Sequence, residues 1–205
     1  MRGKFKDKLV LDLPFKWAGT SYVDQIKNIQ VDPQFQMEII NNDNNSQVIF
    51  IIPKASTDPI KVTYEVDQKI GNPSIVYETI VRDDLVHAPG YGIFATPCEL
   101  KEADKVKILI NWANLDSTWK TLSSYGASSN LKLNITVPEL LHAIYVAGKI
   151  RLYNIGTDSS PIFLSLYGRF DMKDQTILSD LKEIINSQRR FFNDFVFTYY
   201  AISRI

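Results

Sequence analysis

The 205-residue sequence predicts a mainly β fold, an antiparallel β-sandwich followed by a C-terminal amphipathic α-helix. Three observations lead there. Between residues 34 and 170, short apolar and β-branched runs alternate with clusters of Asn, Asp, Ser, Gly and Pro, the punctuation of strands and turns. No helical pattern separates those runs, so antiparallel pairing is expected rather than βαβ units. After Asp171 the apolar period changes from two to three and four, the period of a helix. The chain thus divides into an N-terminal arm, 1–33, a sandwich domain, 34–170, and a helical appendage, 171–205.

The elements follow in order. Residues 34–40 and 47–52 flank Asn41-Asn42-Asp43-Asn44-Asn45-Ser46. Asn and Asp tolerate left-handed backbone and bond their own main chain, so this reads as a hairpin loop. Ile60, Val62, Tyr64 and Val66 alternate with Lys61, Thr63 and Glu65, giving a strand with one buried and one wet face. Further strands are expected at 74–81, 91–96, 105–111, 131–137, 149–154 and 161–170, with turns at 71–73, 88–90, 121–130 and 156–160. Residues 138–143 read as one helical turn. Ile177, Leu178, Leu181, Ile184, Ile185, Phe191, Phe192, Phe195, Val196 and Tyr199 then fall within an arc of roughly 140° on a helical wheel. Asp171 or Asp174 is the expected N-cap. A helix over 175–200 would be roughly 39 Å long at about 1.5 Å per residue, with part of it projecting beyond its own sheet.

The chain ends on aromatic residues. Six of the 24 aromatics lie between Phe191 and Tyr200, and exposed apolar surface on that scale marks a partner. Phe191, Phe192, Phe195, Phe197, Tyr199 and Tyr200 are therefore the candidate partner-binding residues. Phe197 and Tyr200 fall off the helical stripe, so packing on the chain's own sheet does not explain them.

Composition narrows the function classes. Lysine plus arginine and aspartate plus glutamate are 23 each, a net charge of zero. Strong nucleic-acid binding needs a cationic face and is not expected, whereas a neutral chain is weakly protected against self-association. The single cysteine, Cys98, excludes an internal disulfide and a thiolate metal cluster, and reads as a small buried residue. The basic MRGKFKDK start has too short an apolar run for a signal peptide. No segment reaches the roughly 18 to 20 apolar residues of a membrane helix. A cytoplasm-like compartment is expected.

Catalytic vocabulary is thin. His87 and His142 are the only histidines and lie far apart, with no HExxH, phosphate loop or nucleophile elbow. His87 follows Asp83-Asp84 in a stretch that reads as a solvated loop. Neither a cofactor nor a metal is implied. Trp112 and Trp119 lie in a segment rich in Asn, Ser and Asp, with Tyr125 nearby. Aromatic faces beside planar polar groups suit a sugar, so a carbohydrate-binding β-sandwich module using Trp112, Trp119 and Tyr125 is the alternative reading.

Residues 137–170 look like the closing strands of a viral jelly-roll coat protein. A strand such as Lys149-Ile150-Arg151-Leu152-Tyr153-Asn154 is followed by a Gly/Ser/Asp turn at 156–160 and a final strand at 162–170. Immunoglobulin-like and lectin-like sandwiches share this outline. The resemblance implies a jelly-roll-like, non-enzymatic structural subunit of a virus or bacteriophage particle, a capsid, neck or tail component assembled in the host cytoplasm. Its partners would be further copies and other virion proteins. Strong nucleic-acid binding, a membrane and a small-molecule cofactor are not implied.

Overall fold

The alternation read at residues 60–66 is realised in the strand Val62–Val66, where Val62, Tyr64 and Val66 are half-buried while Thr63 and Glu65 are exposed. In the computed structural model the described residues are 9–13, 16–17, 20–21, 26–32, 35–42, 46–52, 59–67, 79–157, 160–193 and 200–204. The fold is mainly β, with antiparallel sheets and a C-terminal helix. By contacts the chain falls into two units, 1–109 with 132–144, and 110–131 with 145–205.

In the first unit, Gln36–Asn42 and Ser46–Ile52 form the expected hairpin, in register from Gln36 opposite Ile52 to Asn42 opposite Ser46. Leu9–Leu13 lies on the other side of Ser46–Ile52, and Thr96–Pro97 pairs beyond it. Residues 1–33 thus contribute an inner strand to this sheet. They also supply Ile26–Val31, which pairs with Val62–Val66 across a register shift between Lys27 and Gln30. Asn28 sits there with φ 52°, and a bulge residue in left-handed conformation suits Asn. Leu9, Leu11, Ile26, Phe35 and Ile51 form the core between these strands, with Val62 and Tyr64 packed against it. Tyr64 donates from Oη to the Ile93 carbonyl at 2.6 Å, which holds residues 93–95 against that core.

Two expectations change in this unit. Residues 91–95 are not a strand, and only Thr96 of the expected segment pairs: Gly90–Gly92 form a turn of 3-10 helix. The supposed loop around His87 is the strand Leu85–Pro89, a hairpin with Ile80–Arg82 about the Asp83-Asp84 turn. The single helical turn is α1, Val137–His142, closed by a capping box. Thr136 Oγ1 accepts from the Glu139 N–H, and the Glu139 carboxylate accepts from the Thr136 N–H at 2.7 Å.

In the second unit, Lys120–Ser123 pairs antiparallel with Ile144–Gly148, from Lys120 opposite Gly148 to Ser123 opposite Tyr145. Arg151–Asn154 pairs antiparallel with Ile162–Leu166. Helix α2, Asp174–Phe192, covers one face of that pair. Ile177 packs with Leu164 and Leu166, and Ile185 packs with Ile155 and Ile162, with Leu178 and Leu181 alongside. Ile177, Leu178, Leu181 and Ile185 face the sheet as the period predicts, but Ile184, expected in the same stripe, is 52% exposed, and the stripe is shorter than expected. Asn193 stops the helix with φ 48°, its N–H donating to the Arg189 and Arg190 carbonyls. At 19 residues, α2 is about 28 Å long. The chain then returns as Tyr200–Arg204, parallel to Ile162–Leu166. The expected N-cap also differs: Lys173 holds that position without a side-chain bond, and Asp174 opens the helix.

Candidate functional site

The segment between Asn111 and Lys120 has a conformation set by its polar residues. Asp116 Oδ1 accepts from the Thr118 N–H at 2.8 Å and from Thr118 Oγ1 at 2.7 Å, and the Trp119 N–H donates to the Asp116 carbonyl at 2.9 Å. This Asp-initiated turn is preceded by Asn114 in the left-handed region, φ 58°. At its start the Trp112 N–H donates to the Ser129 carbonyl at 2.9 Å, tying it to the opposite arm. The turn thereby sets Trp112 and Trp119, both half-buried, into the lining of one open cleft of about 500 Å³.

Asn114, Asp116, Ser117, Lys120, Thr121 and Ser129 add polar groups, while Leu115, Ala127 and Leu152 add apolar ones. The Thr118 hydroxyl, then the Thr118 N–H, hold the Asp116 carboxyl below its ordinary range, with Lys149 adding to the effect. The site therefore carries a fixed negative charge at neutral pH. Trp112 Nε1 is buried without a hydrogen-bond partner among the described residues.

The cleft joins two of the three residues expected to form a ligand surface. Tyr125 does not line it. Its N–H donates to Ser123 Oγ at 3.0 Å within the Ser123–Gly126 turn. Thr121 lines the cleft, and its spacing in a turn-rich stretch gave no sign of that. It stands in a strand that the Ser/Gly content of 121–130 concealed.

The partner-binding residues are placed only in part. Phe191 and Phe192 are 82% and 71% exposed and form a T-shaped pair with ring centroids 4.9 Å apart. They are not part of the α2 core contact, which corrects the expectation that the stripe runs through them. On the wheel Phe192 shares the angle of Leu181 and Ile185, yet it is exposed where Ile185 is buried. Phe195, Phe197 and Tyr199 lie outside the described residues, as does the side chain of Tyr200 at the start of the last strand.

The remaining chemistry-bearing residues are dispersed. His87 is buried in its strand, and burial lowers its pKa from 6.5 to about 4, so it is neutral at physiological pH. Its Nδ1 has no partner among the described residues. That replaces the solvated loop expected for it. His142, at the end of α1, lies 2.6 Å through Nε2 from Tyr91 Oη. Cys98 is exposed rather than buried. Partial burial, then Asp12 and Glu99, push its thiol pKa up, so it is no activated nucleophile. Among the described residues no three His, Cys, Asp or Glu side chains gather into a metal site, and no helix is long and apolar enough to cross a membrane.

Comparison with known proteins gives a fold likeness. No family model and no curated protein matches the sequence. Among solved structures, the chain is similar to an aminopeptidase N family protein from Idiomarina loihiensis, with a TM-score of 0.70 and 12% sequence identity. The match covers 96% of this chain and 34% of that one, so this chain spans about a third of its neighbour's length. At that identity the likeness is one of fold. It corrects the expectation of a virus or bacteriophage structural subunit: over nearly all of the chain, the fold is that of part of a protein described as belonging to the aminopeptidase N family.

Proposed function

We propose that this chain is a peptide-binding part of a peptidase-related architecture, and that its own residues hold polypeptide without cleaving it. The observation that carries the reading is the fold match, which covers nearly all of this chain and a third of an aminopeptidase N family protein. The chemistry of the side chains supports the second half. His87 is locked neutral in a strand, His142 is engaged with Tyr91, and the sequence contains no HExxH. The Trp112–Trp119 cleft supports the first half, because indole faces beside a fixed carboxylate and hydroxyls match the mixed polarity of a peptide.

Two assays test the reading together. Fluorescence polarisation with a fluorescein-labelled casein digest is expected to show saturable binding. Incubation with aminoacyl p-nitroanilides, with zinc added, is expected to show no turnover. A digest that never binds contradicts the peptide-binding role, and enzyme-like hydrolysis contradicts the non-catalytic one.

A further inference from the structure

The strand Lys120–Ser123 reaches the cleft through Lys120, which is exposed, and Thr121, which is 9% exposed. Among the described residues Lys120–Ser123 ends its sheet, paired with Ile144–Gly148 on one side and on the other meeting only Gly126, at Ser123. Its last outward rung is already used: Ser123 and Gly126 exchange N–H to carbonyl bonds, both at 3.0 Å. In an antiparallel pair, the residues whose N–H and C=O point outward alternate. Two residues back from Ser123 is Thr121, which therefore presents its N–H and C=O on that same outer side. Thr121 also lines the cleft that holds Trp112 and Trp119.

We propose that an extended peptide adds to this edge. Its main chain pairs with the Thr121 N–H and C=O, and one apolar or aromatic side chain packs against Trp112 and Trp119. The inference rests on the peptide-binding reading above and names its site and pose. A strand edge distinguishes peptide from sugar, since main-chain pairing supplies affinity and a pocket for an alternate side chain supplies selectivity. A saccharide would use the indole faces and leave the Thr121 rung idle. The cleft volume of about 500 Å³ suits a few residues of chain rather than a folded domain, within the usual span of ligand clefts of roughly 300–1,000 Å³. With Asp116 and Lys120 both in the lining, neither sign of charge dominates, and the favoured peptide is neutral around its anchoring side chain.

The test is calorimetry on the full chain with acetyl-Ala-Phe-Ala-amide as the probe. Three comparisons are made: the same peptide N-methylated at the Phe amide, maltotriose, and the Trp119→Ala and Trp119→Phe variants. N-methylation removes the peptide's donor to Thr121 without touching the protein. The expected result is that it weakens binding roughly tenfold, the value of one lost hydrogen bond and its rung. Trp119→Ala should do likewise, Trp119→Phe should restore most of the affinity, and maltotriose should not bind. Equal binding of the methylated peptide, or of wild type and Trp119→Ala, overturns the site and pose. So does maltotriose binding that depends on Trp119, which would assign the cleft to sugar. If the probe fails to bind, this proposal is overturned, and the casein digest decides separately whether the peptide-binding reading falls with it.

Discussion

Asp174 accepts two hydrogen bonds from the Arg151 guanidinium, from Nε at 2.6 Å and from Nη2 at 3.1 Å, so the first residue of α2 is fastened to the strand beneath it. Tyr153 Oη donates to the same carboxylate at 2.7 Å, and Arg151 Nη1 donates to the Gly168 carbonyl. A bidentate arginine–carboxylate pair fixes orientation as well as distance. The helix start is therefore set in register with the sheet that carries Leu164 and Leu166.

This pair makes a pH prediction. The Arg151 hydrogen bond, then that of Tyr153, hold the Asp174 carboxyl below its ordinary 3.8. A depressed carboxyl pKa contributes stability above its unfolded value, and that stability is lost as pH falls through the lower folded value. Asp174→Asn should lower the melting temperature by a few degrees at pH 7, and the gap to wild type should narrow below pH 4. Thermal melts across that range check it; a gap that stays constant with pH contradicts the assignment.

His87 acts over a different window. Its folded pKa of about 4 lies below the ordinary 6.5, so between those values the unfolded chain binds more protons. Stability should therefore fall as pH drops from 7 to 4, by up to about 3 kcal/mol from this residue alone. In His87→Leu that part of the slope should vanish. Urea denaturation of both proteins at pH 7, 5.5 and 4 measures the difference.

Gly90 is held by its lack of a side chain. A Cβ there would stand 2.2 Å from the Leu140 carbonyl oxygen and 2.8 Å from Leu141 Cα, both backbone atoms of α1. The Gly90 N–H also donates to the Ala143 carbonyl at 2.8 Å. Gly90→Ala must push α1 away and should cost about 1–3 kcal/mol or more, read as a reduced denaturation midpoint.

Exposure separates the two ends of α2. Phe191→Ser and Phe192→Ser, at side chains 82% and 71% exposed, should change stability by less than about 0.5 kcal/mol. Ile185→Ala, at a side chain 6% exposed, should cost about 2–5 kcal/mol. If the Phe variants match the Ile185 variant, those aromatics belong to the core after all.

Much of the fold was legible because period reports burial. The hairpin around the Asn-rich loop, the alternating strand Val62–Val66, the capped α1 and the Ile177–Ile185 stripe all follow from local pattern. What was hidden depended on contacts between distant residues. Leu9–Leu13 was read within an arm, yet its partners lie near residues 50 and 97. Leu85–Pro89 carries His, Ala and Pro, which look like a loop until burial shows a strand. Aromatic residues past Phe192 continued a helical period, but a single left-handed Asn193 ended the helix, and β-favouring residues took up the last strand. The cleft was half legible: the tryptophans stood out by type, whereas Thr121 contributes through its backbone, which no side-chain pattern encodes.

The central claim, that this chain holds extended peptide at its Trp112–Trp119 cleft, is tested most directly by mapping a titration onto the backbone. The measurement is the ¹H–¹⁵N spectrum of the full chain as acetyl-Ala-Phe-Ala-amide is added. The account predicts that the Thr121 amide and the Trp112 and Trp119 indole signals shift together along one binding curve, while Phe191, Phe192 and His87 stay still. Shifts confined to the α2 end, or none at the Thr121 amide as the peptide binds, would contradict it.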